Sequence, residues 1–152
     1  MINIKGSYTL AAPREQVWPF IFDPHALMGL IPGCQSIEQV SPDEYCGQVQ
    51  VGVASVSGIY DTYVKILSFH PPETCQFQGE ISGPTGLVKG TATFTLKEFD
   101  EKCTLDYQAQ GLVTGALAKL SPRFIEGLVN TLLKIGLANL NKQVQHAAPS
   151  LE

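Results

Sequence analysis

The chain has 152 residues, with ten Lys and Arg against fourteen Asp and Glu and a net charge of −4. A chain of this length makes one ordinary domain and buries about 68–70% of its unfolded surface, so it needs neither disulfides nor metal to hold a core. Hydrophobic residues at 44% exclude a disordered chain, the lack of a basic run excludes nucleic-acid binding by phosphate neutralisation, and there is no apolar run of about 18 residues to span a membrane. The first residues, Met1 to Leu10, lack the apolar stretch and cleavage site of a secretory leader, so the expected location is cytoplasmic.

Residues 2–10 alternate loosely and read as a strand. Ala12-Pro13-Arg14-Glu15 starts a helix whose apolar face carries Val17, Trp18, Phe20 and Ile21. Asp23 caps a second short helix from Pro24 to Leu30, and Ile31-Pro32-Gly33 ends it. Strands follow near 34–41, 44–53, 57–70, 73–82, 86–99 and 102–114, with turns at Ser41-Pro42-Asp43, Pro71-Pro72 and Phe99 to Lys102. Period-two patterning is clearest in Gln48 to Val51 and Thr91 to Leu96, as in an antiparallel meander with one buried face. Ser121-Pro122 opens a long helix that runs to about Gln145. The expected unit is a single domain over 1–146 with a tail at 147–152, whose final Leu151-Glu152 reads as a cloning scar. A curved antiparallel sheet of about seven strands wrapped around one long helix, an α+β arrangement, satisfies the need to bury the sheet's apolar face.

Four cysteines at 34, 46, 75 and 103 form no CxxC pair, and three of them lie inside strands, so the expectation is buried, inert thiols. His25, His70 and His146 follow no metal or catalytic spacing, and the nucleophile-elbow, dinucleotide and phosphate-loop motifs are absent. The expected catalytic, metal and covalent cofactor sets are therefore empty.

The inward-facing alternation is more informative. It places Gly47, Gly79, Gly90, Ala92, Ala109 and Gly111 on the face turned to the helix. Small residues there mean strong curvature or unfilled volume, because packed interiors tolerate little void. One outcome is an apolar cavity; the other is a gap filled by Phe124, Leu128, Leu132, Leu133 and Leu140 of the helix. The expected cavity lining is Leu27, Ile31, Val49, Val51, Tyr60, Thr62, Val64, Phe77, Ala92, Phe94, Tyr107, Ala109, Phe124, Leu128 and Leu132. Tyr60, Tyr107 and Thr62 are its polar groups near the mouth, while Asp61, Lys65, Glu80, Lys89 and Asp106 take the outward parity. The long helix is apolar over an arc of about 220°, wider than the stripe somewhat over 100° that one sheet requires. The excess meets the short helices, a ligand or a partner chain. Ile59, Tyr63, Leu67 and Phe69 form a second apolar row on the outer face of the 57–70 strand and suit a partner surface.

The order of elements is similar to the helix-grip fold of the START/SRPBCC (birch-pollen-allergen-like) superfamily. Gly6-Ser7-Tyr8, Ala12-Pro13 with Val17-Trp18, Asp23-Pro24 and Ile31-Pro32-Gly33-Cys34 resemble the opening of the CoxG family, the G subunit of carbon monoxide dehydrogenase. Lys89 to Ala92, Thr104 to Tyr107, Gly115 to Ala118 and Arg123-Phe124-Ile125 resemble its second half. The resemblance covers roughly residues 2–145 and implies a hydrophobic cavity under the C-terminal helix, with Ile31 to Cys34 at its mouth. It implies an accessory protein without catalytic residues, serving a molybdenum CO dehydrogenase or related hydroxylase. The implied ligand is a quinone or other lipid-like carrier, and the implied setting is peripheral, at the inner membrane face, with transient membrane contact. Some members carry a C-terminal membrane anchor, and none is read here. Leu120-Ser121-Pro122-Arg123 and Thr62 depart from the family pattern at the cavity's far end and inner face. A polyketide-cyclase or dehydratase-like enzyme of the same superfamily, and a docking protein without a ligand, remain alternatives. A homodimer is compatible with the sequence.

Overall fold

A computed structural model describes residues 1–53 and 56–147. The elements run β1 (Ile2–Leu10), α1 (Arg14–Phe22), α2 (Pro24–Leu30), β2 (Cys34–Ser41), β3 (Glu44–Val51), β4 (Gly58–His70), β5 (Thr74–Gly83), β6 (Gly86–Phe99), β7 (Lys102–Thr114), a 3-10 turn (Gly115–Lys119) and α3 (Pro122–Ala147). The seven strands form one antiparallel sheet in the order β1-β7-β6-β5-β4-β3-β2. This is the expected helix-grip, α+β architecture. From residue 148 onward the expected tail lies outside the described residues.

The local signals acted as their chemistry requires. The Asp23 carboxylate accepts from the His25 backbone N–H at 3.0 Å and caps α2, with Pro24 at the first helical position. The Ser121 hydroxyl accepts from the Phe124 N–H at 3.1 Å and starts α3. Pro13 stands just outside α1, where its carbonyl receives the first amide bonds from Gln16 and Val17. Asp100 takes the left-handed backbone at φ 56° in the β6–β7 hairpin. The 3-10 turn after β7 carried no recognisable sequence signal.

The glycines are divided between the two roles that the pattern allowed. Val64, Gly79, Gly90 and Gly111 stand opposite one another across β4 to β7. A Cβ on Gly90 would lie 2.8 Å from the Gly111 Cα, so Gly90 serves curvature and backbone approach. A Cβ on Gly79 would meet only the Tyr63 carbonyl, at 3.6 Å, and leaves room above the sheet.

α3 packs chiefly on β1, α1 and α2 rather than on β3–β5. The densest core accordingly lies at the α1 end, where Leu10, Val17, Leu96, Cys75, Cys103 and Val144 are fully buried. Trp18, Phe22 and Phe94 join them, with Trp18 centroids 4.9 Å from Phe22 and 5.7 Å from Phe94, and Phe69, 47% exposed, caps the edge of these rings. A second cluster sets Ile125 of α3 against Ile2 and Ile4 of β1. A third gathers Val56, Tyr60 and Leu117 at the opposite end of the sheet.

Two expectations need correction. Phe69 is not in the outer row: pairing slips between Ile66 and Ser68, so Leu67 is a bulge residue and the alternation reverses beyond it. Phe69 therefore stands opposite Cys75 and lies 5.0 Å, centroid to centroid, from Phe22. The cysteines are not uniformly buried. Cys75 and Cys103 are, while Cys34 at the start of β2 and Cys46 on the outer face of β3 are half-buried.

Candidate functional site

With α3 displaced toward β1, the inner face of β3–β5 is only partly covered. Val49, Thr62, Val64 and Phe77 point inward yet stay half-buried, as do Ala92 and Ala109 on the floor beside them. Ile81, in the same inward row as Thr62, is 43% exposed. On α3, Leu128 and Leu132 are half-buried, and Phe124 and Ile135 are 42% and 44% exposed. The helix's excess apolar arc is thus only partly covered: Leu128 meets the Val56–Tyr60–Leu117 cluster, and α2 reaches α3 where Asn139 donates to the Leu30 carbonyl at 3.1 Å. The half-buried inner surface of β3–β5 forms an apolar trough between the aromatic cluster at one end and the Tyr60 cluster at the other, whereas the concavities of the sheet lie on its outer face.

The other expected lining residues sort by distance from α1. Phe94 belongs to the packed aromatic end rather than to an open wall. Leu27 packs partly on the same cluster, and Ile31 terminates α2, its N–H donating to the Leu27 carbonyl at 3.1 Å. Val51 and Leu128 pack on the Tyr60 cluster. Of the three polar groups, the Tyr60 hydroxyl is committed to the Val56 carbonyl at 2.6 Å and to Thr85, and the Thr62 hydroxyl to the Gly47 carbonyl at 3.1 Å. Neither is a free headgroup ligand at a mouth, because each closes its own local backbone. Tyr107 folds over Gly6, where a Cβ would come within 2.7 Å of its ring. Tyr45, absent from the expected lining, crosses from β3 to donate to the Phe22 carbonyl at 2.6 Å and ties the sheet to the end of α1. Burial pushes its phenol above the ordinary range.

The outward parity of the ionisable residues holds. Glu80 pairs with Lys89 at 3.3 Å, Asp106 with Lys97 at 2.9 Å, and Asp61 accepts from the Gln48 amide at 2.9 Å, all across the outer face. That face carries a feature that sequence reasoning missed, a shallow groove of about 570 Å³ lined by Ser36, Glu38, Cys46, Gln48, Asp61, Tyr63, Glu80 and Ser82, among others. The outward alternation named Asp61, Tyr63 and Glu80, but the concavity comes from the sheet's twist, which no single strand encodes. At its edge Tyr63 donates to Glu44, which pushes the phenol up to about 12 and holds the carboxyl below its ordinary range. Among the described residues no group of three or more His, Cys, Asp or Glu could hold a metal ion, and no helix is long and apolar enough to cross a membrane.

Comparison with known proteins agrees with this architecture. A conserved protein from Geobacillus kaustophilus is 28% identical, with a TM-score of 0.92 over 96% of this chain and 97% of that one. A START superfamily protein from Mycobacterium smegmatis is 13% identical, with a TM-score of 0.72 over 95% and 98% of the two chains. The Zhui aromatase/cyclase from Streptomyces sp. R1128 is 14% identical, with a TM-score of 0.69 over 96% and 94%. The last two establish likeness of fold alone. No curated protein sequence matches the chain. The family model for the G subunit of carbon monoxide dehydrogenase (CoxG) matches residues 6–145, so the chain, with its START-like fold, belongs to the CoxG family.

Proposed function

We propose that this protein is a non-catalytic carrier that holds a neutral, lipid-like ligand of the quinone class in the trough between α3 and β3–β5. It would serve a molybdenum CO dehydrogenase or a related oxidoreductase, delivering its electron acceptor or bringing the enzyme to the membrane. The observation that carries the reading is the chemistry of the trough: apolar side chains that remain half-exposed, with no Asp, Glu, Lys or His on the inward rows of β3–β5. Covering such a surface with an isoprenoid tail gains about 25 cal/mol for each Å² removed from water. A charged headgroup would find no counter-ion there, which favours a neutral one. Acid–base chemistry of the cyclase kind needs a titratable side chain aimed into the trough, and the outward pairing of Asp61, Glu80 and Asp106 speaks against it.

Trp18, the only tryptophan, lies in the aromatic cluster at the trough's end, and Phe77 joins that cluster through Phe94 at 6.4 Å. Titration with a short-chain menaquinone analogue is expected to quench Trp18 fluorescence saturably, and native mass spectrometry to show a one-to-one adduct. Ala92→Phe, which fills the floor, should weaken that binding at least about tenfold, the size of effect expected from roughly 1.4 kcal/mol of lost contact. No quenching and no adduct with menaquinone or ubiquinone analogues would overturn the quinone assignment.

A further inference from the structure

Three donor side chains gather where α2 gives way to β2. α2 buries Ala26 and Leu30, four residues apart, on one face. Its other side leaves His25 and Met28 exposed. These two are three residues apart, a spacing that sets their side chains next to each other on the helix surface. The chain then reverses at Pro32-Gly33, with Gly33 in the left-handed region at φ 75°, and brings Cys34 back to α2. The Cys34 thiol meets the Met28 thioether, sulfur to sulfur, at 3.7 Å. Its other polar neighbour is the Ser36 carbonyl at 3.5 Å. Neither Met28 nor Cys34 belongs to any of the three packed clusters, so core packing does not account for the pair.

Two sulfurs that bind one closed-shell ion through bonds of about 2.3 Å, meeting near the tetrahedral angle, stand about 3.8 Å apart. The sulfur pair of Met28 and Cys34 already has that separation, so an ion can bridge it without moving the backbone. The exposure of Met28 leaves the approach open. The donor types then select the ion. Thiolate and thioether favour Cu(I), and imidazole suits copper as well, whereas hard cations require oxygen and structural zinc takes a closed set of Cys, His and carboxylate. Among the described residues no three His, Cys, Asp or Glu come together, which excludes a zinc site of that kind here. Burial pushes the Cys34 thiol up, so it is protonated at neutral pH and yields its proton only to a strongly thiophilic ion. The other thiols lack this setting. Cys75 and Cys103 are sealed in the core. Cys46 opens on the outer groove without a thioether, because the chain's other methionine, Met1, precedes β1 at the opposite edge of the sheet.

We propose that Cys34, Met28 and His25 bind a single Cu(I) ion, the Cys34 proton leaving to solvent as the thiolate–copper bond forms. The site uses only the corner between α2 and β2 and does not depend on a ligand in the trough. The test is anaerobic titration of the reduced full chain with Cu(I) in competition with the chromophoric chelator bathocuproine disulfonate. The chain should retain a single equivalent and gain an ultraviolet thiolate-to-copper band. Cys34→Ser should abolish that band. Met28→Leu, which keeps the side-chain volume, and His25→Ala should each weaken retention at least about tenfold, with an unchanged circular dichroism spectrum and Tm. Cys46→Ser, which removes the other half-buried thiol, should hold Cu(I) as the parent does. No copper retained by the parent, full retention in Met28→Leu or His25→Ala, or loss of the band in Cys46→Ser would overturn the assignment. Trp18 titration with the menaquinone analogue on the same samples reads the trough separately, so failure here is told apart from failure of the carrier reading.

Discussion

Two halves of one sheet, with the same inward alternation, end in different states. Beneath β1, β6 and β7 the inward residues Leu10, Leu96 and Cys103 are sealed by α1 and α3. Along the middle of β3–β5, between the buried Tyr45 and Cys75 at the α1 end and the buried Tyr60 at the other, the inward residues Val49, Thr62, Val64 and Phe77 are equally suited to burial and stay half-open. Residue type does not account for the difference; the seat of α3 against β1 and the two short helices does. A carrier needs such a division, because the filled half supplies the stability that an unfilled half cannot.

The sharpest way to break this comparison is to cut a cavity in each half. Leu96→Ala, at a fully buried position, is expected to cost about 3 kcal/mol, which lowers Tm by roughly 10 °C in a domain of this size. Phe77→Ala should cost less than about 2 kcal/mol despite the larger side chain, because part of its surface is already wet. Equal losses by calorimetry would mean that β5 is packed as tightly as β6.

Enlarging a side chain gives a smaller effect with the opposite logic. Ala12, 2% exposed in the packed cluster, should not accept a leucine without an overpacking cost of about 1–3 kcal/mol. Ala92→Leu on the trough floor should leave stability within about 0.5 kcal/mol of the parent. A marked loss at Ala92 would show that the trough is already full.

The smallest effect is kinetic, and the four thiols read it out. Burial pushes Cys75 and Cys103 up to about 11, so both stay protonated and shielded in the folded chain. Cys34 and Cys46, half-buried, should be modified by a water-soluble disulfide reagent well before the other two, two equivalents in all, with Cys34 the slower because burial pushes its thiol up. The linkage sign follows from the raised values. The unfolded chain loses these thiol protons near the ordinary pKa of about 9, while the folded chain keeps them to about 11. The contribution of the buried thiols is therefore fully present below pH 9 and is lost as pH rises toward 11. Cys75→Ala with Cys103→Ala should flatten the decline of Tm across that range. Four fast equivalents in the native protein would contradict a sealed α1 end.

The sequence by itself determined the strands and α-helices, their order and most of their faces. Helix starts at Asp23-Pro24 and Ser121-Pro122, the hairpin at Asp100 and the outward parity of Asp61, Glu80 and Asp106 were legible because each rests on a few neighbouring residues. The family phrases, from Ala12-Pro13 to Arg123-Phe124-Ile125, were legible for the same reason. Tertiary structure alone decided the rest. A one-residue bulge at Leu67 reversed the face of Phe69, and no alternation pattern announces an extra residue. The hydroxyls of Tyr60 and Thr62 were taken by backbone carbonyls that only the folded loops and strands bring near. The six small inward residues could not say whether they made curvature or space, because that depends on whether a neighbouring strand or a helix arrives above them. At Gly90 the strand arrived, and above Gly79 the helix stayed away.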